Sequence, residues 1–163
     1  LAAGLGVNMC ADLWSFALST YARPGVEAAC LRLQQQGADV CLLLCGAWLE
    51  QRAVTATAER MQALKQIARP WQAQVIEPLR HARTQWRGMA QQDEDLASLR
   101  ERVKALELDA ERQLLTRLQT LAQAWPTGEP MDPGLWLEGL AAEDAANLDH
   151  DALQQLRVVA TST

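Results

Sequence analysis

The chain has 163 residues, 49% of them apolar, and a formal net charge of −5. That length buries a proper core without staples, and that apolar fraction excludes wholesale disorder. The acidic balance argues against non-specific attraction to phosphates, so a nucleic-acid partner is the least favoured of the function classes.

Leu and Ala supply most of the apolar content, with few β-branched or aromatic residues. That set favours helix over strand. The expected fold is all-α: one helical bundle of about six helices, with one long amphipathic helix and a loosely attached C-terminal segment.

Residues 1–8 read as a flexible leader before Met9, with no basic residue and no signal-peptide layout. The helical domain is expected over residues 9–125. Its first helix runs from Asp12, a capping residue, to Ala22, with Leu13, Phe16, Ala17 and Tyr21 inward. Arg23-Pro24-Gly25 breaks the chain. Pro24 suits the first turn of a second helix through Val26, Ala29, Cys30 and Leu33. Gly37 ends that helix as a left-handed cap.

Asp39 caps a third helix, apolar on most faces from Val40 to Leu49, which places it centrally. The run is too short for a bilayer, which needs about 20 residues. Thr55 or Thr57 starts a fourth helix with Met61, Leu64, Ile67 and Ala68 inside. Pro70 restarts or kinks it, and Pro78 marks a second kink in the pattern Trp71, Val75, Leu79, Trp86.

Asp93-Glu94-Asp95 opens the longest helix, to about Trp125, since acidic residues suit its positive end. Leu96, Leu99, Val103, Leu106, Ala110, Leu114, Leu118, Leu121 and Trp125 form its inward stripe. Leu108 and Leu115 add a second apolar line. Residues 126–163 read as a linker and a short helical C-terminal segment. Leu135, Trp136 and Leu140 are candidates to fold back over the second line, and residues 161–163 are expected to fray.

Charge is divided along the chain. Residues 1–51 carry −2, residues 52–88 carry +5, and residues 89–163 carry −8. The preferred explanation packs the basic helices beside the acidic long one. A sharper one makes Arg80, Arg83 and Arg87, with Lys65 and Arg69, an anion-binding face that could serve RNA, with Trp71 and Trp86 as stacking surfaces.

Chemistry-bearing patterns are sparse. Cys10, Cys30, Cys41 and Cys45 lack disulfide-framework or zinc spacing and read as free, mostly buried thiols. That usage points to the cytoplasm. Glu77 and His81 share a helical face, but no second such pair completes a dimetal site. No metal or cofactor is expected. His81 and His150 lack a partnered nucleophile, and no Gly-rich phosphate loop exists. The remaining polar candidates are Tyr21, Arg23, Asp39 and Trp48. Together they would form a small-ligand site if they faced one cleft.

The run from Asp12-Leu-Trp-Ser-Phe through Tyr21-Ala-Arg-Pro-Gly25 to Leu31, followed by Gly37-Ala-Asp-Val-Cys41 through Trp48-Leu49, resembles a known family. It is the uncharacterised proteobacterial family labelled domain of unknown function 2390. Arg69-Pro-Trp71 and Val75-Ile-Glu-Pro-Leu-Arg80 are similar as well. The resemblance covers about residues 10–110. Where the family pattern often has Asn, this chain has Cys41, which weakens a polar role for that position. The resemblance implies a soluble bacterial helical protein and brings no reaction, cofactor or partner.

The preferred function class is therefore a non-enzymatic protein-interaction or adaptor module. Leu108 and Leu115 are its candidate partner-binding residues, toward a protein partner or a second copy. A small-ligand binder or enzyme using Tyr21, Arg23, Asp39 and Trp48 is the alternative. RNA binding through residues 52–88 is the third.

Overall fold

Asp12 opens the first helix as its sequence requires: its carboxylate accepts from Ser15 N–H at 2.7 Å. The computed structural model describes residues 12–129, 134–141 and 149–161, and the expected leader at 1–8 lies outside them. In chain order come α1 (Leu13–Tyr21), α2 (Val26–Gln35), α3 (Val40–Gln51) and α4 (Ala58–Trp71). A π-helical turn (Gln72–Ile76) joins α4 to α5 (Glu77–Gln85), followed by α6 (Arg87–Ala90) and α7 (Glu94–Ala122). Two later helices are α8 (Leu135–Ala141) and α9 (His150–Thr161). The fold is all-α, with no strand among the described residues.

The central element is α3. Every residue from Cys41 to Glu50 is buried. Its polar ends explain its limits. Asp39 accepts from Leu42 N–H at 3.1 Å at the start. At the end, Ala53 takes a left-handed φ of 52°. That geometry lets Ala53 N–H reach Glu50 C=O and Val54 N–H reach Leu49 C=O, each at 3.0 Å. This double closure satisfies carbonyls that a helix end leaves orphaned. Gly37 closes α2 in the same way, with Ala38 N–H on Leu33 C=O at 3.0 Å.

Around α3 pack α1, α2, α4, α7, α8 and α9. The first N–H of α1 is held by Gln119 Oε1 of α7 at 2.8 Å. Pro24 does not enter α2: Gly25, at φ 83°, is its cap and Val26 its first residue. Cys30, Cys41 and Cys45 are free and buried, while Cys10 lies outside the described residues.

Three expectations need correction. The helices outnumber the expected six, because the π turn and a break at Trp86 divide residues 58–90. Pro70 and Pro78 each lack an N–H to donate, and between them Glu77 N–H reaches five residues back to Gln72 C=O.

The C-terminal helices are not loosely attached. Trp136 is fully buried and donates Nε1–H to Val54 C=O at 2.7 Å. Its ring stacks on Trp125 at 5.9 Å. Gly46 leaves room for this approach: a Cβ there would lie 2.9 Å from Leu140 Cδ1 and 3.5 Å from Trp136 Cβ. Ala152 and Leu156 of α9 are fully buried, and that helix packs on α2 and α3. The segment thus covers α3, whereas Leu108 and Leu115 of α7 face the α1 side.

The stripe on α7 also differs. Its buried residues are Glu107, Ala110, Leu114, Leu115, Leu118 and Ala122. Leu99 and Leu106 are about half exposed, and Leu115, expected on the outer line, is 2% exposed. The reason is what lies opposite. Beyond Glu107 toward the N-terminus, α7 meets only α5 and α6, neither of which buries a residue. These three elements form an antiparallel hairpin that stands clear of the core. Its free length is about 20 Å, from Glu94 to Leu106 at about 1.5 Å per residue.

Candidate functional site

The start of α3 lies between α1, the π turn and α7, and two adjoining cavities open there. The first has a volume of about 210 Å³. Trp14, Leu18, Leu44, Leu108 and Leu115 give it an apolar wall, and Tyr21, Gln72, Arg80 and Glu111 a polar end. The second, about 270 Å³, is lined by Asp39, Lys65, Arg69, Gln72 and Glu77 with Leu42, Leu43 and Leu140. Gln72 belongs to both. Its amide oxygen is buried without a hydrogen-bond partner.

A charge cluster borders the first cavity. Arg83 Nε donates to Glu107 Oε2 at 2.5 Å, and Arg80 Nε to Glu107 Oε1 at 3.2 Å. Arg80 also pairs with Glu111 at 3.5 Å. Burial raises the Glu111 carboxyl above its ordinary range and the neighbouring Glu107 charge adds to that, while Arg80 and Arg83 pull it down. Burial pushes Tyr21 up to about 12, so its hydroxyl stays neutral and able to donate. Burial also raises Asp39 to about 6, against the Leu42 N–H bond and the Arg80 charge that hold it down. Cys41 is pushed well above the usual thiol range by burial and the Asp39 charge, which makes it a poor nucleophile.

The sequence candidates scatter over this map. Tyr21, Leu108, Leu115 and Arg80 meet at the first cavity, and Asp39 lines the second. Arg23 is exposed in the α1–α2 turn. Trp48 lies about 13 Å further along the α3 axis than Asp39, under the Arg52 guanidinium at 4.6 Å. The four proposed ligand residues therefore do not share one cleft. Arg80 and Arg83 are engaged by carboxylates, while Arg87 is exposed on α6. Trp71 is committed as well: it donates to Ala110 C=O at 2.9 Å, and Arg117 covers its ring at 3.9 Å. Trp86 is half-buried. Among the described residues, no three His, Cys, Asp or Glu side chains cluster as metal ligands would. No described helix is long and apolar enough to cross a membrane.

Gln72, Glu107 and Glu111 escaped the sequence reading. Glu107 had a signal: it falls four after Val103 and three before Ala110, a charged residue on the inward face of a helix. Gln72 had a weaker one, its place between two prolines in an otherwise helical stretch.

A family model described as "Protein of unknown function (DUF2390)" matches residues 12–118. That span holds α1 to most of α7, the free hairpin, and every residue lining the first cavity. No curated protein and no solved structure matches the chain.

Proposed function

Since the chain belongs to the DUF2390 family of proteins of unknown function, we propose that it is a non-enzymatic protein-interaction module of the cytoplasm, and that its docking element is the free hairpin of α5, α6 and the first half of α7. The observation that carries this reading is the absence of any buried residue in the hairpin before Glu107. A helix extended about 20 Å beyond its core adds little to folding, because most helical stability comes from tertiary packing. Leu99 and Leu106 are one heptad apart, so they lie on one face, and both are about half exposed. Met89, 59% exposed, adds apolar surface on α6. The thiols raised by burial and the two histidines without a partnered nucleophile favour a binding role over a catalytic one.

The reading is tested with Leu99→Glu/Leu106→Glu. Light scattering would report a second copy, and affinity capture with mass spectrometry a different protein. The expected result is an unchanged melting temperature with loss of one association that the wild type makes. A wild-type monomer whose captured proteins are the same as the variant's rejects the reading.

A further inference from the structure

We propose that the cavity between α1, α3 and α7 binds a small amphipathic primary amine, its apolar body among Trp14, Leu44, Leu108 and Leu115 and its ammonium head at Gln72 and Glu111. This site is separate from the hairpin's outer face and stands independently of the interaction reading.

Size sets the first limit. An apolar cavity of about 150 Å³ accepts benzene. At about 210 Å³, this one takes a body of that size with a short polar extension. Leu18 and Leu108 line it yet are about half exposed, which places them at its mouth.

The head group follows from what the polar end lacks. Gln72 presents a buried amide oxygen with no donor, and an unmet buried acceptor is costly. Its terminal torsion is soft, so a modest rotation brings that oxygen to a ligand in the cavity. Charge then chooses among donors. Around this end stand Glu107, Glu111, Asp39 and Glu77, against Arg80 and Arg83, with Lys65 and Arg69 beyond Gln72 in the second cavity. A carboxylate head would face Glu111 with Arg80 already engaged by two carboxylates. An ammonium supplies the missing positive charge, and its three donors match Glu111, the Gln72 oxygen and the neutral Tyr21 hydroxyl. The raised pKa of Glu111 fits the same deficit, since burial without enough positive charge is its cause.

The test is calorimetric titration of the full chain with 2-phenylethylamine, with phenylacetate (same body, anionic head) and methylamine (head alone) as controls. One molecule of 2-phenylethylamine should bind, at least about tenfold more tightly than either control. Glu111→Gln and Gln72→Leu should each weaken it by about tenfold or more. Leu108→Trp, a change at an exposed position, should close the mouth and abolish binding while circular dichroism stays native. If Glu111→Gln fails to fold, Leu108→Trp decides. Failure of 2-phenylethylamine to bind, equal binding of phenylacetate, or unaltered binding by Leu108→Trp overturns the proposal and leaves Gln72 to an ordinary buried water.

Discussion

Arg83 and Glu107 meet at 2.5 Å where the free hairpin joins the core, and Glu107, at 6% exposure, is also held by Arg80. Two guanidinium groups thus share one buried carboxylate at the only charged position on the buried face of α7 among the described residues. Removing the acid strands both cations. Glu107→Ala should destabilise by about 3 kcal/mol, the low end for breaking a buried pair, because both Arg side chains keep some solvent. Urea melts measure it. A loss below about 1 kcal/mol, the range of exposed pairs, would show that the cluster is solvated.

Asp39 gives a pH-dependent prediction. Its folded pKa of about 6 lies above the ordinary carboxylate value. Stability from this group is therefore fully present below about pH 4 and is lost as pH rises toward 6. Asp39→Asn keeps an oxygen for the Leu42 N–H and removes the ionisation. The variant should be the more stable at pH 7 to 8, by at most about 3 kcal/mol, with the gap narrowing to the value set by capping alone near pH 4. Melting temperatures across that range decide it, and a pH-independent difference refutes it.

Ala53 holds a conformation that suits Gly. A left-handed residue with a Cβ carries about 1–2 kcal/mol of strain, and Gly relieves it at some entropic cost. Ala53→Gly should stabilise by about 0.5–1 kcal/mol. Destabilisation in thermal melts would mean that the methyl group packs usefully.

Trp136 tests the C-terminal cover. Trp136→Phe keeps most of the ring but leaves the Val54 carbonyl without its donor. The expected loss is about 1–3 kcal/mol for that orphaned group. No effect would show that α8 is not held as described.

Leu43 tests the centre. It is 1% exposed on α3, so Leu43→Ala should cost about 2–5 kcal/mol. A shift under about 1 kcal/mol would place α3 at the surface.

Local signals were legible where one residue type has one job. Asp12, Gly37 and Asp39 mark helix ends by their own chemistry, and the structure uses each that way. The unbroken apolar run at Val40–Leu49 fixed the centre because burial on all faces leaves no phase to misjudge. On α7, phase did mislead. Leu99 and Leu106 continue the same heptad as Ala110, Leu114 and Leu118, yet what covers them depends on helices that stop short. Leu115 lies beside that stripe and is buried because α1 reaches it. The cavities were invisible for a related reason: their walls combine residues far apart in sequence, and Gln72 is positioned by a turn that helical periodicity does not describe.

That turn has a consequence for how the chain tolerates change. A π turn accommodates one more residue than the α-helix it interrupts. Deleting a residue such as Ala73 would let residues 58–85 run as one regular helix and would turn everything after it by about 100° about the axis. Arg80 and Arg83 would swing away from Glu107, and the hairpin would lose its footing. Substitutions within Gln72–Ile76 leave that register alone, apart from those at buried Ile76. The segment is therefore constrained in length more tightly than in composition: a single-codon deletion there should disturb the molecule more than most single-codon changes.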